Sequence, residues 1–323
     1  MIILALDRYD RHLPFFDATV QLPSRLSTLK IMQVGQHGML RDGSHRHERM
    51  LGDGEFDVAE TSLASYIVAK SRGLPFTAVP VFPRRLFSQG QIFVNTSSGI
   101  AKPSDLEGRT VGLQSFQTTL AVLAKGDLAT EHGVSLENIK WRVGNIDTVE
   151  IDNNPKFDIT PIAPEKKLPE MLCTGEIDAL FYSRLPDVSE DQSDQFQRLF
   201  KDPKTVEADY IKRNGYWPIM HILALKNTAV DSHPNLPSDL MNTFADAGRI
   251  SETYLADPNW TQLPWAKYTA EEEEAAFGRS LWTNGVTANR RNLERFISYC
   301  LNQGLIDAKL AVEDLFHVSV WDT

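Results

Sequence analysis

The sequence predicts an α/β protein with two lobes of similar construction. Short apolar runs typical of strands alternate with stretches typical of helices, which favours largely parallel sheets. In addition, the segment MLGDGEFDV at 50–58 reappears at 171–179 as MLCTGEIDA. Each copy is typical of a helix end with a glycine cap, followed by an acidic residue that leads into a buried strand. The repeat therefore predicts one lobe around each copy, with chance similarity as the alternative.

The predicted strands are short, and helices separate several of them. The strand predictions are 2–7, 29–34, 56–61, 76–82, 91–95, 109–113, 139–143, 177–182 and 218–225. The segment 117–132 is predicted to be a helix, because its apolar residues share one face. These residues are Leu120, Leu123, Ala124, Leu128 and Ala129.

After the last of these strands the chain is predicted to be mainly helical. Thr287 is predicted to cap a helix that ends at Gly304 and carries an apolar stripe. The stripe consists of Leu293, Phe296, Ile297, Cys300 and Leu301. The acidic run 271–274 is predicted to be a solvated helix face.

Composition limits the classes of partner. The 323 residues suffice for two domains, and 42% hydrophobic with 24% charged residues is typical of a globular protein. The 33 Lys and Arg residues face 43 Asp and Glu residues, a formal net charge of −10. This balance argues against a nucleic-acid partner, since phosphate binding needs a basic face. Clustered arginines can still bind a small anion.

Cysteine usage and hydropathy predict the compartment. Cys173 and Cys300 lie in apolar, helix-like contexts, which favours two buried thiols over a disulfide. The apolar start 2–6 is shorter than the ~7–15 residues of a signal-peptide core. No apolar run approaches the ~18 residues of a membrane span. We expect a cytoplasmic protein without a membrane partner, and the sequence leaves open whether it forms a homo-oligomer.

Standard catalytic signatures are absent from the sequence, among them the nucleophile elbow, the dinucleotide-binding fingerprint, the P-loop and the HExxH zinc motif. The segment HRHE at 45–48 resembles a metal cluster. Helical residues two apart do not share a face, so we favour a solvated helix start over a metal site. The sequence thus predicts neither a metal nor a cofactor.

Polar side chains near the ends of the predicted strands are the candidate site residues, because ligands in open α/β sheets bind beyond the carboxyl ends of strands. The candidates are Asp7, Arg8, Glu60, Ser62, Arg84, Arg85, Gln117, Thr118, Arg184 and His221. Each has a purely structural alternative. The arginines can be surface or rim residues, Thr118 can be a helix cap, and His221 can be a core histidine.

Several segments together resemble 4,5-dihydroxyphthalate decarboxylases. They include FDVAETSLASYI at 56–67, PFTAVPVFPRRLF at 75–87, EIDALF at 176–181 and PIMHILAL at 218–225. The resemblance implies the two-lobed type II periplasmic-binding-protein fold, with a ligand cleft between the lobes. It also implies that 1–94 plus 218–323 form the first lobe and 95–217 the second.

The resemblance has local departures. The family pattern has an Arg-His-Ser segment before the strand that crosses to the second lobe, where this chain has Ser88, Gln89 and Gly90. An amide does not titrate near neutral pH, so Gln89 cannot replace a proton-donating histidine. A related aromatic acid, or a different reaction, therefore stays open.

The resemblance implies cofactor-independent decarboxylation of a hydroxylated aromatic acid. On this hypothesis Arg8, Arg84, Arg85 and Arg184 form the pool that holds carboxylates. Ser62, Gln117 and Thr118 supply neutral donors. His221 and Glu60 carry the acid–base work, with Asp7 in reserve. The alternatives are a non-catalytic binding protein for a small acid and a dehydratase on the same fold.

Overall fold

The structure is a computed structural model that describes residues 1–36, 38–151, 154–278 and 281–323. Its strands form two sheets. The strands are β1 Ile2–Leu6, β2 Leu29–Gln33, β3 Val58–Ser62, β4 Phe76–Val79, β5 Ile92–Asn95, β6 Thr110–Leu113, β7 Lys140–Val143, β8 Asp158–Pro161, β9 Ala179–Phe181, β10 Phe196–Arg198 and β11 His221–Lys226. The helices are α1 Leu13–Phe16, α2 Arg46–Leu51, α3 Leu63–Ser71, α4 Thr119–His132, α5 Leu168–Thr174, α6 Pro203–Asn214, α7 Asn227–Ser232, α8 Leu236–Ala256, α9 Ala266–Phe277 and α10 Val286–Asn302.

The first lobe is built on a five-stranded sheet with the order β2-β1-β3-β11-β4. Strand β1 is parallel to β2 and β3, whereas β11 is antiparallel to β3 and β4. In the β3–β11 register His221 lies opposite Ser62, and Leu223 lies opposite Glu60. Residues two apart on a strand share a face, so this register places Glu60, Ser62 and His221 on one face of the sheet.

The second lobe is built on a six-stranded sheet with the order β10-β5-β9-β6-β7-β8. The chain passes from the first sheet to the second between β4 and β5, and β11 returns to the first sheet. Strand β5 pairs within the second sheet over its whole length. The lobe limits, 1–94 plus 218–323 and 95–217, stay a prediction.

Helix α10 packs against α4 of the second lobe. The Tyr299 ring of α10 lies directly over Gly126, where an added Cβ atom would come within 2.2 Å of ring atom Cδ2. Only glycine fits at this position. The Tyr299 hydroxyl also lies 2.9 Å from Oγ1 of Thr130. The close approach therefore joins the C-terminal helix firmly to α4.

The nine predicted strands are all present, as β1–β7, β9 and β11. The sequence missed β8 and β10, which lie at the two edges of the second sheet and are largely exposed. Neither edge strand carries the apolar run that reveals a buried strand. The helix predicted over 117–132 is confirmed as α4.

The predicted cap of α10 is wrong. Helix α10 begins at Val286, with Gly285 in a left-handed conformation (φ 95°) at its cap. Thr323 accepts hydrogen bonds from the backbone N–H groups of Val286 and Thr287, so the first turn is satisfied without a threonine cap. The apolar stripe is confirmed, since Leu293, Phe296, Ile297 and Cys300 are buried.

Three other predictions concern the cysteines, the acidic run 271–274 and membrane-spanning helices. Both cysteines are buried and free, as predicted. The acidic run 271–274 is exposed on α9, which confirms a solvated face. Among the residues that the structure describes, no helix has the length and apolar character needed to cross a membrane.

Candidate active site

A cavity of about 740 Å³ lies between the two lobes, and both lobes contribute to its walls. From the first lobe it is lined by Gln36, Gly38, Met39, Ser44, His45, His47, Glu48, Gly52, Asp53, Ser62, Ser65, Arg84, Met220 and His221. From the second lobe it is lined by Gln114, Ser115, Thr118, Thr119, Leu120, Asn145, Ile146, Asp147, Thr148, Ser183 and Arg184. Hydroxyl groups dominate these walls, and the charged side chains among them are the guanidinium groups of Arg84 and Arg184 and the carboxylates of Glu48, Asp53 and Asp147. Such a wall suits a small polar ligand.

Glu60 and His221 form a buried couple at this cavity. Their strands are neighbours in the first sheet, and Nδ1 of His221 is hydrogen-bonded to Oε1 of Glu60. Glu60 is fully buried and does not line the cavity, whereas His221 does. A neutral imidazole that donates its Nδ1–H to a carboxylate keeps Nε2 as an acceptor. Glu60 thus orients His221 as a base toward the ligand space.

Arg46 completes this couple, although the sequence predicted a solvated helix start at 45–48. That prediction is wrong, because Arg46 is wholly buried. Its Nη2 lies 3.0 Å from Oε2 of Glu60 as an ion pair without hydrogen-bond alignment. Its Nε donates to the Glu60 carbonyl at 2.9 Å, and Nη1 donates to the Val34 carbonyl. Arg46 therefore supplies the counter-charge that a buried carboxylate needs.

The charges of this cluster follow from its contacts. Burial alone would raise the pKa of Glu60, but the neighbouring Arg46 and His221 hold it well below its usual range. Burial lowers the pKa of His221 to about 4, against the opposing influence of Glu60. At neutral pH the cluster therefore consists of a guanidinium cation, a carboxylate anion and a neutral imidazole.

Asp7 lies behind the couple rather than in the cavity wall. Its Oδ2 is 3.7 Å from Nη1 of Arg46, and its backbone N–H donates to Oε2 of Glu60 at 3.4 Å. Arg8 is exposed beyond the end of β1 and does not line the cavity. We therefore leave Asp7 and Arg8 out of the ligand-contacting set.

Arg84 and Arg85 are adjacent in the sequence, but their side chains lie on opposite sides of the extended backbone. Arg84 is half-buried, lines the cavity and makes no side-chain hydrogen bond or ion pair within the described ranges. The Arg85 guanidinium is buried and donates to the carbonyls of Trp217 and Thr283, both at 2.6 Å, and to Oδ1 of Asn289 at 2.7 Å. Successive residues of an extended segment face opposite sides, so Arg84 meets the ligand space and Arg85 does not. We withdraw Arg85 from the substrate-binding set.

Arg184 lines the cavity from the second lobe. It is exposed, and its Nη2 donates to the Tyr182 hydroxyl at 3.1 Å. Among the residues that the structure describes, the cavity therefore has one guanidinium from each lobe, Arg84 and Arg184. This arrangement suits an anion that contacts both lobes.

Two helix N-termini meet at the cavity. The Ser62 hydroxyl caps α3 by accepting from the Ser65 N–H at 3.3 Å, and it shares a hydrogen bond of 2.9 Å with the Thr119 hydroxyl. Oγ1 of Thr119 also accepts from the Ala64 N–H at 3.2 Å. Thr118 precedes α4 and lines the cavity, and its side chain does not cap the helix. The start of α4 is thus open to an anion.

Gln117 is a support residue rather than a cavity residue. Its side chain is fully buried and forms a pair of hydrogen bonds with the Val149 backbone, at 2.7 Å to the carbonyl and 3.2 Å from the N–H. Its own backbone N–H donates to Oδ1 of Asp147 at 2.9 Å. Gln117 therefore fixes the loop that carries Asp147 and Thr148 into the cavity wall, and we remove it from the predicted ligand donors.

Metal binding was the second alternative for the segment 45–48. In the part of the chain that the structure describes, no three His, Cys, Asp or Glu side chains are arranged to hold a metal ion.

Known proteins resemble this chain over nearly its whole length. A 4,5-dihydroxyphthalate decarboxylase of Comamonas testosteroni is 31% identical over 97% of this chain and 95% of its own length. The chain belongs to the 4,5-dihydroxyphthalate decarboxylase family. A second family member, from Pseudomonas putida, is 30% identical over 66% of this chain and 82% of its own length. The broader family model described as NMT1/THI5 like matches residues 40–183.

Solved structures confirm the predicted fold of this decarboxylase-family member. The periplasmic aliphatic sulphonate binding protein SsuA of Escherichia coli superposes with a TM-score of 0.57 at 13% identity, covering 100% of this chain and 99% of SsuA. The desulfurization enzyme DSZB superposes with a TM-score of 0.51 at 14% identity, covering 100% of this chain and 98% of its own. The two-lobed type II periplasmic-binding-protein fold is therefore confirmed, and it is shared by binding proteins and an enzyme.

Arg46 and His47 are the residues that sequence reasoning missed in this family member. Both lie on the buried face of α2 together with Met50 and Leu51. The spacing of four residues from Arg46 to Met50, and from His47 to Leu51, was the available signal. It places the two polar residues on the same helix face as the apolar ones, and so predicts burial.

Proposed function

We propose that this chain is a carboxy-lyase that removes carbon dioxide from a hydroxylated aromatic dicarboxylic acid such as 4,5-dihydroxyphthalate. The observation that carries the proposal is the neutral His221, anchored by Glu60 and Arg46, in a cavity with a guanidinium on each side. The decarboxylase relatives support the same reaction class.

Substrate binding would use groups from both lobes. Arg84 and Arg184 are suited to hold carboxylates, because a guanidinium can donate two parallel hydrogen bonds to one carboxylate. Ser62 and Thr118 offer neutral hydroxyl groups on the same walls. The open N-terminus of α4, a helix of 14 residues, adds partial positive charge. Together these groups favour a dianion that bridges the lobes.

The chemistry uses a hydroxyl group para to the carboxylate that leaves. Nε2 of His221 takes the hydroxyl proton, and the oxygen's electron pair moves into the ring. An acid then protonates the ring carbon that carries the carboxylate. The bond from this carbon to the carboxylate breaks, its electron pair restores the aromatic ring, and carbon dioxide leaves. His221 returns its proton to the oxygen, so each turnover consumes one proton and needs no cofactor.

Acid–base catalysis accounts for only part of the required lowering of the activation barrier. A turnover of ~10 s⁻¹ corresponds to a barrier of about 16 kcal/mol. One positioned acid or base lowers the barrier by about 3–5 kcal/mol, from the usual 10²–10⁴-fold effect. Closure of the lobes over the dianion, which excludes water and strengthens the contacts of Arg84 and Arg184, would supply most of the remainder.

The test is incubation of purified, chelator-treated protein with 4,5-dihydroxyphthalate and, in parallel, with phthalate, which has carboxylates but no hydroxyl groups. We expect carbon dioxide and a dihydroxybenzoate from the first acid, and binding without reaction of the second. The His221→Asn variant should lose ~10²–10⁴-fold in kcat. The exposed His233, changed to Asn, is the matched control.

Two other results would replace this proposal. Recovery of every hydroxylated phthalate unchanged after hours of incubation would make the chain a binding protein, as SsuA is. A product that has lost water and kept its carboxylates would indicate a dehydratase. Mass spectrometry of the incubated acid distinguishes the three outcomes directly.

A further inference from the structure

We propose that His47 is a second catalytic residue, which delivers the proton to the ring carbon while His221 serves the hydroxyl group. This inference rests on the proposed function and adds the proton donor that it leaves unassigned. Both histidines line the same cavity. Their ring centroids are 4.9 Å apart and their planes meet at 88°. Two imidazoles thus stand edge to face at the ligand space.

The reaction needs two proton-transfer groups because its two positions lie across the ring from each other. The hydroxyl oxygen and the carbon that loses carbon dioxide are para, so one nitrogen atom cannot be in hydrogen-bond reach of both. His221 has only Nε2 to offer, since Nδ1 is committed to Glu60. A second group next to His221 is therefore required, and among the described residues His47 is the imidazole whose ring contacts that of His221.

The position of His47 is held by its backbone. Helix α2 begins at Arg46, whose buried side chain is anchored to the Val34 and Glu60 carbonyls. The His47 backbone N–H donates to Oε1 of Gln36 at 3.0 Å. Its side chain is buried, with 6% of the residue exposed. These contacts place the ring in the wall before any ligand binds, as catalysis by a positioned acid demands.

The neighbouring histidines are weaker candidates. His45 has a left-handed backbone conformation (φ 60°) and is exposed, so surrounding residues do not hold its ring as they hold that of His47. His12 is buried, but its Nδ1 is bound to the Asp7 carbonyl and it does not line the cavity. Of these histidines, His47 alone combines burial, backbone support and a place in the cavity wall.

The charge of the substrate suits this role. Two carboxylates that enter the cavity favour the protonated form of an imidazole beside them. The imidazolium N–H of His47 gives its proton to the ring carbon, and the electron pair of the breaking carbon–carboxylate bond returns to the ring as carbon dioxide leaves. His47 is then neutral and takes a proton from water. This step accounts for the one proton that each turnover consumes.

The test uses two variants and one added base. His47→Ala and His47→Gln should both lower kcat for 4,5-dihydroxyphthalate ~100-fold or more, with unchanged affinity for phthalate by calorimetry. Added imidazole should restore a large part of kcat in His47→Ala, where the ring is missing, and none in His47→Gln, where the amide fills the space. The control His233→Ala should keep the wild-type kcat.

A second measurement tests proton transfer to the ring carbon by itself. In D2O, wild-type protein should exchange the hydrogen of 3,4-dihydroxybenzoate that lies para to a hydroxyl, by reversal of the protonation step, and His47→Gln should not. Wild-type kcat in His47→Gln, or a defect that imidazole does not restore in His47→Ala, would overturn the inference. Loss of phthalate binding in both variants would assign His47 a structural role instead. Absence of carbon dioxide release by the wild type is a separate result, which overturns the proposed function itself.

Discussion

Two carboxylates are buried near the junction of the lobes, and their surroundings differ. Glu60 belongs to what we call the cavity cluster, which consists of Arg46, Glu60 and His221. Asp127 belongs to the helix cluster, which consists of Ser88, Asp127, Tyr210, Arg295 and Tyr299. Glu60 has a guanidinium nitrogen of Arg46 at 3.0 Å and an imidazole in direct contact.

Asp127 is surrounded mainly by hydroxyl groups. Its oxygens accept from Ser88 at 2.7 Å, from Tyr299 at 3.1 Å and from Tyr210 at 3.4 Å. Nη2 of Arg295 is farther away, at 3.7 Å, and is hydrogen-bonded to Glu131 at 2.7 Å. The charge that faces Asp127 is thus distant and shared with a second carboxylate.

The pKa values of the two carboxyls diverge for this reason. Burial raises the pKa of Asp127 to about 6, and its hydroxyl donors offset this only in part. Burial would also raise the pKa of Glu60, yet Arg46 and His221 hold it well below the usual range. A cation in contact therefore decides whether the pKa of a buried carboxyl lies below or above its usual range, because hydroxyl donors alone do not offset the effect of burial.

Removal of the charge from Glu60 should have the largest effect. Glu60→Gln leaves the buried Arg46 guanidinium without its counter-charge, so we expect the free energy of unfolding at pH 7 to fall by about 3–5 kcal/mol in urea titrations. Because the folded pKa of Glu60 is depressed, its stabilisation is present above its ordinary pKa of 4.5 and is lost as the pH falls through the folded pKa. The gap between variant and wild type should narrow below that pH.

The double variant Arg46→Met with Glu60→Met tests the cause. It removes both charges at once. Its loss in the free energy of unfolding should be smaller than the sum of the losses in the single variants Arg46→Met and Glu60→Met. A loss of under ~1 kcal/mol in Glu60→Gln, as for an exposed pair, would contradict the assignment of a buried ion pair.

Removal of the charge from Asp127 should raise the free energy of unfolding at alkaline pH, whereas removal of the charge from Glu60 lowers it. Its pKa is raised, so its stabilising contribution is complete below its ordinary pKa of 3.8 and is lost as the pH rises through about 6. That loss amounts to about 3 kcal/mol at 1.36 kcal/mol per pKa unit. Asp127→Asn should therefore unfold at higher urea than wild type at pH 8 and lose this advantage near pH 4.

Glu131, one turn further along α4, is the control for Asp127. Burial would raise the pKa of Glu131, but hydrogen bonds from Arg295, Asn214 and Arg213 lower it. Glu131→Gln should therefore not stabilise the protein at pH 8. Equal stabilisation by both substitutions would mean that net charge, rather than the burial of Asp127, is responsible.

The sequence predicted the sheet scaffold and the Glu60–His221 couple, but not the third member of the cavity cluster. Apolar runs predict buried strands, so β3 and β11 and the polar residues at their ends could be recognised from the sequence. The spacing of Arg46 to Met50 indicates its burial, but the carbonyl groups of Val34 and Glu60 that accept from its guanidinium are brought to it only by the folded sheet. Arg8, Arg85 and Gln117 were recognisable as polar residues near strand ends or helix starts, but the side on which each lies is set by tertiary contacts.

Arg84 and Arg85 extend the comparison to adjacent residues. Arg84→Lys should raise KM for the dicarboxylate and leave the urea midpoint unchanged, because its guanidinium has no partner among the described residues. Arg85→Lys should do the reverse. Lysine cannot form all three hydrogen bonds that Arg85 donates to Trp217, Thr283 and Asn289, so the change should cost about 1–3 kcal/mol in the free energy of unfolding.

Steady-state kinetics and urea titration of both variants provide the check. Equal effects of the two substitutions on KM would remove the distinction between a ligand-facing and a structural arginine. A drop in stability for Arg84→Lys would show that its guanidinium has a structural partner in the protein.

The smallest effect is expected where the lobes touch beside the cavity. The Thr148 hydroxyl of the second lobe donates to Oε1 of Glu48 in the first at 3.2 Å, and Gln36 supports the same carboxylate at 3.0 Å. Thr148→Val keeps the side-chain shape and removes this hydrogen bond. If the contact favours the closed arrangement, phthalate binding should weaken by about 1 kcal/mol, which is about fivefold in Kd.

Thr160→Val is a matched control for Thr148→Val. It also removes a threonine-to-carboxylate contact, of 3.4 Å to Asp158, but both residues belong to β8 of the second lobe. Calorimetry should therefore show weaker phthalate binding for Thr148→Val and not for Thr160→Val. An unchanged Kd in both would mean that Glu48 and Thr148 touch without coupling closure of the lobes to ligand binding.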